Sequence, residues 1–404
     1  MSSEEGDRGF ESHPLRHSFA IFPSRLCMEI SELKYWIAFN RVRRVGRARV
    51  AMLEAHFGSL SEAWAASSAQ LQQAGLDRRT AATAARSRSR IDPDAEMERV
   101  QQAGVTALTW HDDGYPPRLK EIYDKPPVLY VKGEILPEDE RSLAVVGTRR
   151  PTAYGREVAR QVTSDLAQNG LTIVSGLAKG VDGIVHRAAL EAGARTIAVM
   201  GSGLDVMYPR EHGELASQIA ENGAVVTEFP LGTRPDSQNF PRRNRIISGM
   251  SLGTLVAEAP ESSGALLTAR HALEQDREVF CIPGSILAPN SRGGNRLIRD
   301  SAAKLVTCAD DIIEELNLTT IEYQIELAAF FPEDEAQAAV LKYVTFDPIH
   351  IDEIIRNSSL ASSTVSGALT MMELRGLIRQ VGGMNYVRLR ESSQEYQTAQ
   401  GEHG

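Results

Sequence analysis

Short runs of apolar residues, separated by amphipathic stretches, fill the middle of the chain. Leu143–Val146, Thr172–Val174, Thr196–Met200, Ala224–Val226, Leu255–Ala257, Val279–Ile282 and Leu305–Thr307 read as strands. Between most of them Gly155–Asn169, Val181–Glu191, Glu211–Glu221 and Leu266–Gln275 repeat apolar residues at helical spacing. Strands that are apolar along their whole length are covered on both faces, and their alternation with helices predicts a parallel, doubly wound α/β sheet. Such a sheet takes its ligand at the carboxyl ends of the strands, beside the switch in strand order. Several of those ends carry glycine: Gly147-Thr148-Arg149, Ser175-Gly176, Gly201-Ser-Gly203, and Ser262-Ser263-Gly264 ahead of the Leu266 helix.

The flanks follow other periods. From Ser31 to about Ser89 the pattern is helical and alanine-rich. Trp36, Ile37 and Phe39 precede Val45-Gly46, and Val50, Met52 and Leu53 follow, as in a SAM-like or helix-hairpin-helix unit; a weaker echo surrounds Gly75-Leu76. The first amides of such a second helix can hold a phosphate. A plain helical domain with solvated arginines fits the same residues, and both readings stand. Arg90 to Gly133 is a connection holding a Tyr115-Pro116-Pro117 turn, a short helix at Leu119 and Ile122, and a strand at Val128–Val131. Beyond Ala336 come three helical patterns, through Val340 and Val344, Ile351 to Ile355, and Val365 to Leu377, and then two β-like pieces around Gly382-Gly383, a winged-helix order. Ser362, Ser363, Thr364 and Ser366 lie at the start of its third helix. Only Arg375, Arg379, Arg388 and Arg390 supply positive charge nearby, so duplex DNA and protein are both open as its partner. The expected divisions are a disordered extension over 1–30, a helical domain over 31–110, an α/β domain over 111–318, an acidic linker over 319–335, a winged helix over 336–390 and a disordered tail over 391–404. Translation could start at Met1 or at Met28.

Composition adds bounds. A chain of 404 residues with 42% hydrophobic residues is expected to form two or three domains. No apolar run reaches the roughly 18 residues of a membrane helix, and the first residues lack the apolar core of a secretion signal. Cys27, Cys281 and Cys308 have no metal-type spacing and read as reduced thiols of a cytoplasmic protein. The net charge of −9 is unevenly spread. No Lys or Arg occurs from Leu305 through Leu341, whereas arginines gather at Arg41–Arg49 and at Arg242-Arg243-Asn-Arg245. Local patches, not the sum, decide whether an anion binds.

Among the motifs, Ile173 to Ala188 turns from a strand through Ser175-Gly176 and Lys179-Gly180 into a helix, a shape that suits an anion. It lacks the ending of a P-loop, and Gly147-Thr-Arg-Arg is not a dinucleotide fingerprint, so neither ATP hydrolysis nor a bound cofactor is expected. Asp182 and His186, one turn apart, read as a capping Asp paired with a His, since no third ligand or nucleophile accompanies them. Cys281 reads as a core thiol. Phe240-Pro-Arg-Arg-Asn-Arg-Ile-Ile-Ser-Gly is read as a ligand-binding loop, because forked guanidinium donors suit phosphate, an aromatic ring can stack a base, and a solvated loop does not need the phenylalanine.

In order, Val-Val-Gly-Thr-Arg, Val-Ser-Gly-Leu-Ala-Lys-Gly-Val-Asp, Gly-Ser-Gly-Leu-Asp-x-x-Tyr-Pro, Phe-Pro-x-Arg-Asn-Arg-Ile-Ile-Ser-Gly and Ser-Gly-Ala-Leu-x-Thr-Ala resemble the bacterial DNA-processing protein A family (DprA, or Smf) over about Tyr115 to Leu316. The resemblance implies an extended Rossmann-like domain and a non-catalytic protein of natural transformation. Such a protein binds incoming single-stranded DNA, protects it, and helps load the RecA recombinase past single-strand-binding protein, commonly as a homodimer. Positions matching the family's DNA pocket are Arg149, Ser175, Lys179, Phe240, Arg242, Arg243, Asn244 and Arg245, with Ser263, Gly264 and Thr268 beside them. No catalytic residue, metal or cofactor is implied. Gly253-Thr254 through Glu258 departs from the family pattern and is similar to a motif of nucleotide-cleaving, lysine-decarboxylase-like enzymes. That enzyme reading, and a winged-helix adaptor, are the alternatives.

Overall fold

The computed structural model describes residues 30–318, 335–345, 348–374, 378–381 and 383–388. The expected extension before residue 30, most of the acidic linker, the tail, and Arg375 and Arg390 lie outside them. The described chain falls into two compact units divided after Ala309. In the first, six helices, α1 (Ile30–Arg41), α2 (Arg47–Phe57), α3 (Leu60–Ala65), α4 (Ser68–Gln73), α5 (Arg78–Ser87) and α6 (Pro93–Gln102), precede β1 (Thr106–Thr109), α7 (Pro117–Glu121) and β2 (Val128–Gly133). There follow β3 (Ser142–Val146), α8 (Ala153–Gln168), β4 (Thr172–Ser175), α9 (Val181–Glu191), β5 (Thr196–Val199), α10 (Gly213–Glu221) and β6 (Gly223–Thr227). Then come α11 (Asn239–Gly249), β7 (Gly253–Val256), α12 (Ala265–Glu274), β8 (Glu278–Cys281), α13 (Arg292–Arg299) and β9 (Lys304–Leu305), while α14 (Ala309–Glu315) starts at the division.

The nine strands form one sheet in the order β1-β2-β6-β5-β4-β3-β7-β8-β9. From β6 to β9 all neighbours are parallel. The sheet is not wholly parallel, however: β2 pairs antiparallel with β6, with Tyr130 opposite Thr227, and β1 pairs antiparallel with β2. Every residue of β3, β4, β5, β6 and β7 is buried, as strands covered on both faces must be. The chain runs from β3 outward to β6 and then crosses back to β7, so the order reverses between β3 and β7.

Two differences from the sequence reading matter. First, β1 stands before the expected start of the α/β domain yet belongs to its sheet. One continuous core joins Trp36, Phe39, Leu53 and Leu71 of the helices to Tyr130, Met200 and Ile219 on and beside the sheet. Trp36 meets Trp110 edge to face at 5.1 Å, and Phe39 meets Trp64 at 5.0 Å. Second, the segment read as a Phe/Arg loop is the helix α11. Pro241 falls in its first turn, where a missing N–H costs nothing. Cys281 does end its strand inside the core, and burial pushes its thiol up to about 12.

In the second unit, α15 (Glu335–Leu341), β10 (Ile349–His350), α16 (Ile351–Ser358), α17 (Ser362–Leu374), β11 (Ile378–Gln380) and β12 (Asn385–Arg388) form a winged helix with strand order β10-β12-β11. Val340, Val344, Ile354, Val365, Leu369, Met372 and Ile378 make its core, while Ser362, Ser363 and Ser366 are exposed along α17. Among the described residues no helix is long and apolar enough to cross a membrane.

One ion pair, between the buried Asp139 and the partly exposed Arg195, fastens the middle of the sheet at its amino ends. Asp139, ahead of β3, accepts from Arg195 Nε and Nη2, both at 2.8 Å, and from Thr172 Oγ1 and Leu136 N. Asp139→Ala leaves that guanidinium and a buried hydroxyl without their acceptor. Urea unfolding should show a loss of about 3 kcal/mol, with Asp139→Asn losing less.

Candidate nucleic-acid interface

At the reversal in strand order, the carboxyl ends of β3 and β7 face a cleft of about 810 Å³. One wall is the Thr148–Arg150 turn after β3, another the first turns of α11, and a third the segment from Ser262 into α12. Phe240, Arg243, Asn244 and Ile247 are spaced i, i+3, i+4 and i+7 on α11 and so line the cleft from one helical face. The Phe240 ring is half-buried, with the exposed Arg149 guanidinium 5.3 Å above it and the Tyr208 ring 5.6 Å away, tilted by 41°. Arg243 is buried and donates to the Val199 carbonyl and to Asn244 Oδ1; Asn244 Nδ2 in turn donates to the Gly264 carbonyl at 3.2 Å. Burial lowers Arg243 to about 10, with the Asp182 carboxylate opposing the shift, so the guanidinium stays charged at neutral pH.

The opposite face of α11 does something else. Arg242 and Arg245 turn away from the cleft to Glu228 at the end of β6. Arg245 Nη1 and Nη2 reach its two carboxylate oxygens at 2.7 and 3.1 Å, and Arg242 Nη2 reaches Oε2 at 2.8 Å. Arg245 is almost wholly buried; Arg242 stays exposed, its guanidinium 5.6 Å from the Phe229 ring.

The glycine-bearing turn after β4 is not an open anion seat, because its anion is the chain's own. The Asp182 Oδ2 atom accepts from Ala178 N at 3.1 Å, and a Cβ on Gly176 would stand 2.3 Å from it. Burial raises the Asp182 pKa, with Arg243 and the Ala178 amide working against that rise. His186 pairs not with Asp182 but with the Thr196 hydroxyl and the Gly176 carbonyl, both at 2.7 Å. Ser175 is fully buried and donates to the Val145 carbonyl, while Lys179 points outward to Glu211 at 2.5 Å. The N-terminus of α8 is filled likewise: Glu258 accepts from Thr152 N at 2.8 Å and from Thr152 Oγ1 at 2.6 Å. A Cβ on Gly155 would lie 2.3 Å from that carboxylate.

Of the residues singled out from the sequence, Arg149, Phe240, Arg243, Asn244, Ser263, Gly264 and Thr268 line one cleft. Ser175, Lys179, Arg242 and Arg245 do not, because their side chains turn to other partners: Ser175 to the Val145 carbonyl, Lys179 to Glu211, and Arg242 and Arg245 to Glu228. Thr148, Arg150 and Tyr208 line it without having been singled out. Tyr208 had a signal, standing in the Gly-Ser-Gly-Leu-Asp-x-x-Tyr-Pro motif, and Arg150 directly follows Arg149. Among the described residues no group of three or more His, Cys, Asp or Glu side chains is placed to hold a metal ion.

Comparison with known proteins bears on this arrangement. Residues 106–317 match the model of the DNA recombination-mediator protein A family, and residues 326–384 match the DprA winged helix domain. The chain is 33% identical over 398 residues to Protein Smf of Synechocystis sp., covering 89% of this chain and 100% of that protein. It is 40% identical over 329 residues to Protein Smf of Escherichia coli, covering 80% and 87%. The X-ray structure of DNA processing protein A from Streptococcus pneumoniae superposes with a TM-score of 0.62 at 35% identity, covering 72% of this chain and 99% of that one.

The packing behind the cleft carries a pH signature. Burial lowers His186 to about 4, so the unfolded chain takes up a proton near pH 6.5 that the native state refuses until about pH 4. Stability from this group is complete above about pH 6.5 and falls as pH drops from there towards 4, by up to about 3 kcal/mol. Unfolding measured from pH 7 to 4.5 should fall less steeply in His186→Gln than in the parent.

Proposed function

The chain belongs to the DNA recombination-mediator protein A family, and from that premise we propose that it binds a single DNA strand in the cleft at the ends of β3 and β7. In this reading it is a non-catalytic protein of natural transformation that protects incoming DNA and helps load the RecA recombinase past single-strand-binding protein. It acts in the cytoplasm as a homodimer. The observation that carries the reading is Phe240, beside Arg149 and Tyr208 on the helix that also turns Arg243 and Asn244 into the cleft. An aromatic ring beside cationic groups suits a base whose face is free and a phosphate next to it. A duplex keeps its bases paired and stacked, and offers no face to such a ring. The nucleotide-cleaving alternative needs an available carboxylate, and Glu258 is instead buried and spent on Thr152.

Fluorescence anisotropy of a labelled oligonucleotide titrated with the full chain tests this. On an oligonucleotide short enough to fill the cleft alone, three phosphate contacts, from Arg149, Arg150 and Arg243, predict a log–log salt slope of about −2. Phe240→Ala should weaken binding about tenfold without changing the melting temperature, in keeping with roughly 1–3 kcal/mol for one stacked base. Lys179→Ala should matter less, since its ammonium is paired to Glu211 outside the cleft. Preference for duplex, or binding indifferent to salt, would overturn the reading.

A further inference from the structure

Behind α11, Arg242 opens onto a second cavity of about 880 Å³, whose far wall is the hairpin between α1 and α2. Six arginines line it, Arg41, Arg43, Arg44, Arg47, Arg49 and Arg242, against two lining acids, Asp77 and Glu228, and a third, Glu96, that is ion-paired to Arg41 at 3.1 Å, a surplus of three positive charges in a chain whose net charge is −9. Both lining acids are already engaged. Asp77 caps α5, accepting from Thr80 N and Oγ1 and from Arg49, and Glu228 holds Arg242 and Arg245. The side chains of Arg43 and Arg44 are exposed and have no hydrogen-bonded or ion-paired partner among the described residues. A cavity with this much uncompensated positive charge attracts a polyanion.

Local geometry sharpens the match to phosphate. Arg44 is held at φ 72, a left-handed conformation that a non-glycine residue adopts at a cost. Gly46 then opens α2 with no capping side chain and no acidic residue in the first turn, and the space where its Cβ would stand is empty. The first amides of α2 thus face the cavity alongside the arginines, both as donors and as the positive end of the helix. Beside them the Arg47 guanidinium lies 4.7 Å from the ring of Tyr123, a side chain 83% exposed and able to stack a base. Arg242 and Arg243 are neighbours on α11, one facing each cavity, so the start of this helix borders both.

We propose that the arginine-lined cavity is a second phosphodiester seat, which takes the next stretch of the DNA strand held in the cleft. This rests on the single-strand reading above, and the test separates the two. The full chain is titrated into labelled oligonucleotides of about six and about thirty nucleotides, using the parent, the double variant Arg43→Gln/Arg44→Gly, and Phe240→Ala. Glycine suits the backbone at position 44, so the double variant should keep its melting temperature. It should bind the long oligonucleotide about tenfold more weakly, with a salt slope shallower by about 1.4, or about 0.7 for each lost phosphate contact, and bind the short one as before. Unchanged affinity and slope on the long oligonucleotide would overturn the proposal, as would an equal loss on both lengths. If the double variant weakens long-oligonucleotide binding while Phe240→Ala does not, the cavity stands and the cleft falls. If the parent binds neither length, both fall.

Discussion

The cleft-lining face of α11 depends on the ion pair between Arg245 and Glu228. Both side chains are more than nine-tenths buried, and the carboxylate is held by two guanidinium nitrogens. Two buried charges must repay a large desolvation cost through close geometry, and removing one partner from such a pair typically costs about 3–5 kcal/mol. Arg245 also reaches Asp124 through both its backbone and its side chain, so one guanidinium ties α11 to the end of β6 and to the connection leading into β2. With that face anchored, helical spacing settles the rest. Phe240, Arg243 and Asn244 must look into the cleft, and Arg242 must look the other way.

A second constraint decides how the site can work. An open α/β sheet usually offers bare helix N-termini to an anionic ligand. Here Glu258 occupies the start of α8 and Asp182 the turn before α9, both buried and both bonded to backbone N–H groups. The protein's own carboxylates have taken the seats where a nucleotide's phosphates would sit. Binding therefore passes to side chains, an aromatic ring and guanidinium groups on an anchored helix. Such groups suit the stacking and charge contacts of the proposed single strand.

Much of the fold was legible in the sequence, for a physical reason. Strands buried on both faces must be apolar throughout, so β3 to β8 announced themselves, and the helices between them showed the 3.6-residue period of one buried face. The winged helix was legible from the same kind of period. The strand that escaped buries little: β1 is a four-residue edge strand with only alternate positions covered, while β9, two exposed residues, was legible only from Leu305 onward. The helix α11 was read as a loop because its first half, Asn-Phe-Pro-Arg-Arg-Asn-Arg, is almost wholly polar. Its apolar partners are few, and the burial of its arginines depends on acids far away in the chain.

The sequence by itself determined the sheet, its flanking helical units, and the set of residues from which a site could be built, since these follow from local period and residue chemistry. It also marked Phe240 and its arginines as unusual. Only the tertiary structure decided which of them line the cleft. Arg242, Arg243 and Arg245 are alike in the sequence, yet Glu228, 17 residues before Arg245, claims two of them, and Asp182, 61 residues before Arg243, lies near the third. A charge becomes available or spent according to what the fold packs against it, and that pairing is a property of distance in space that no local pattern encodes.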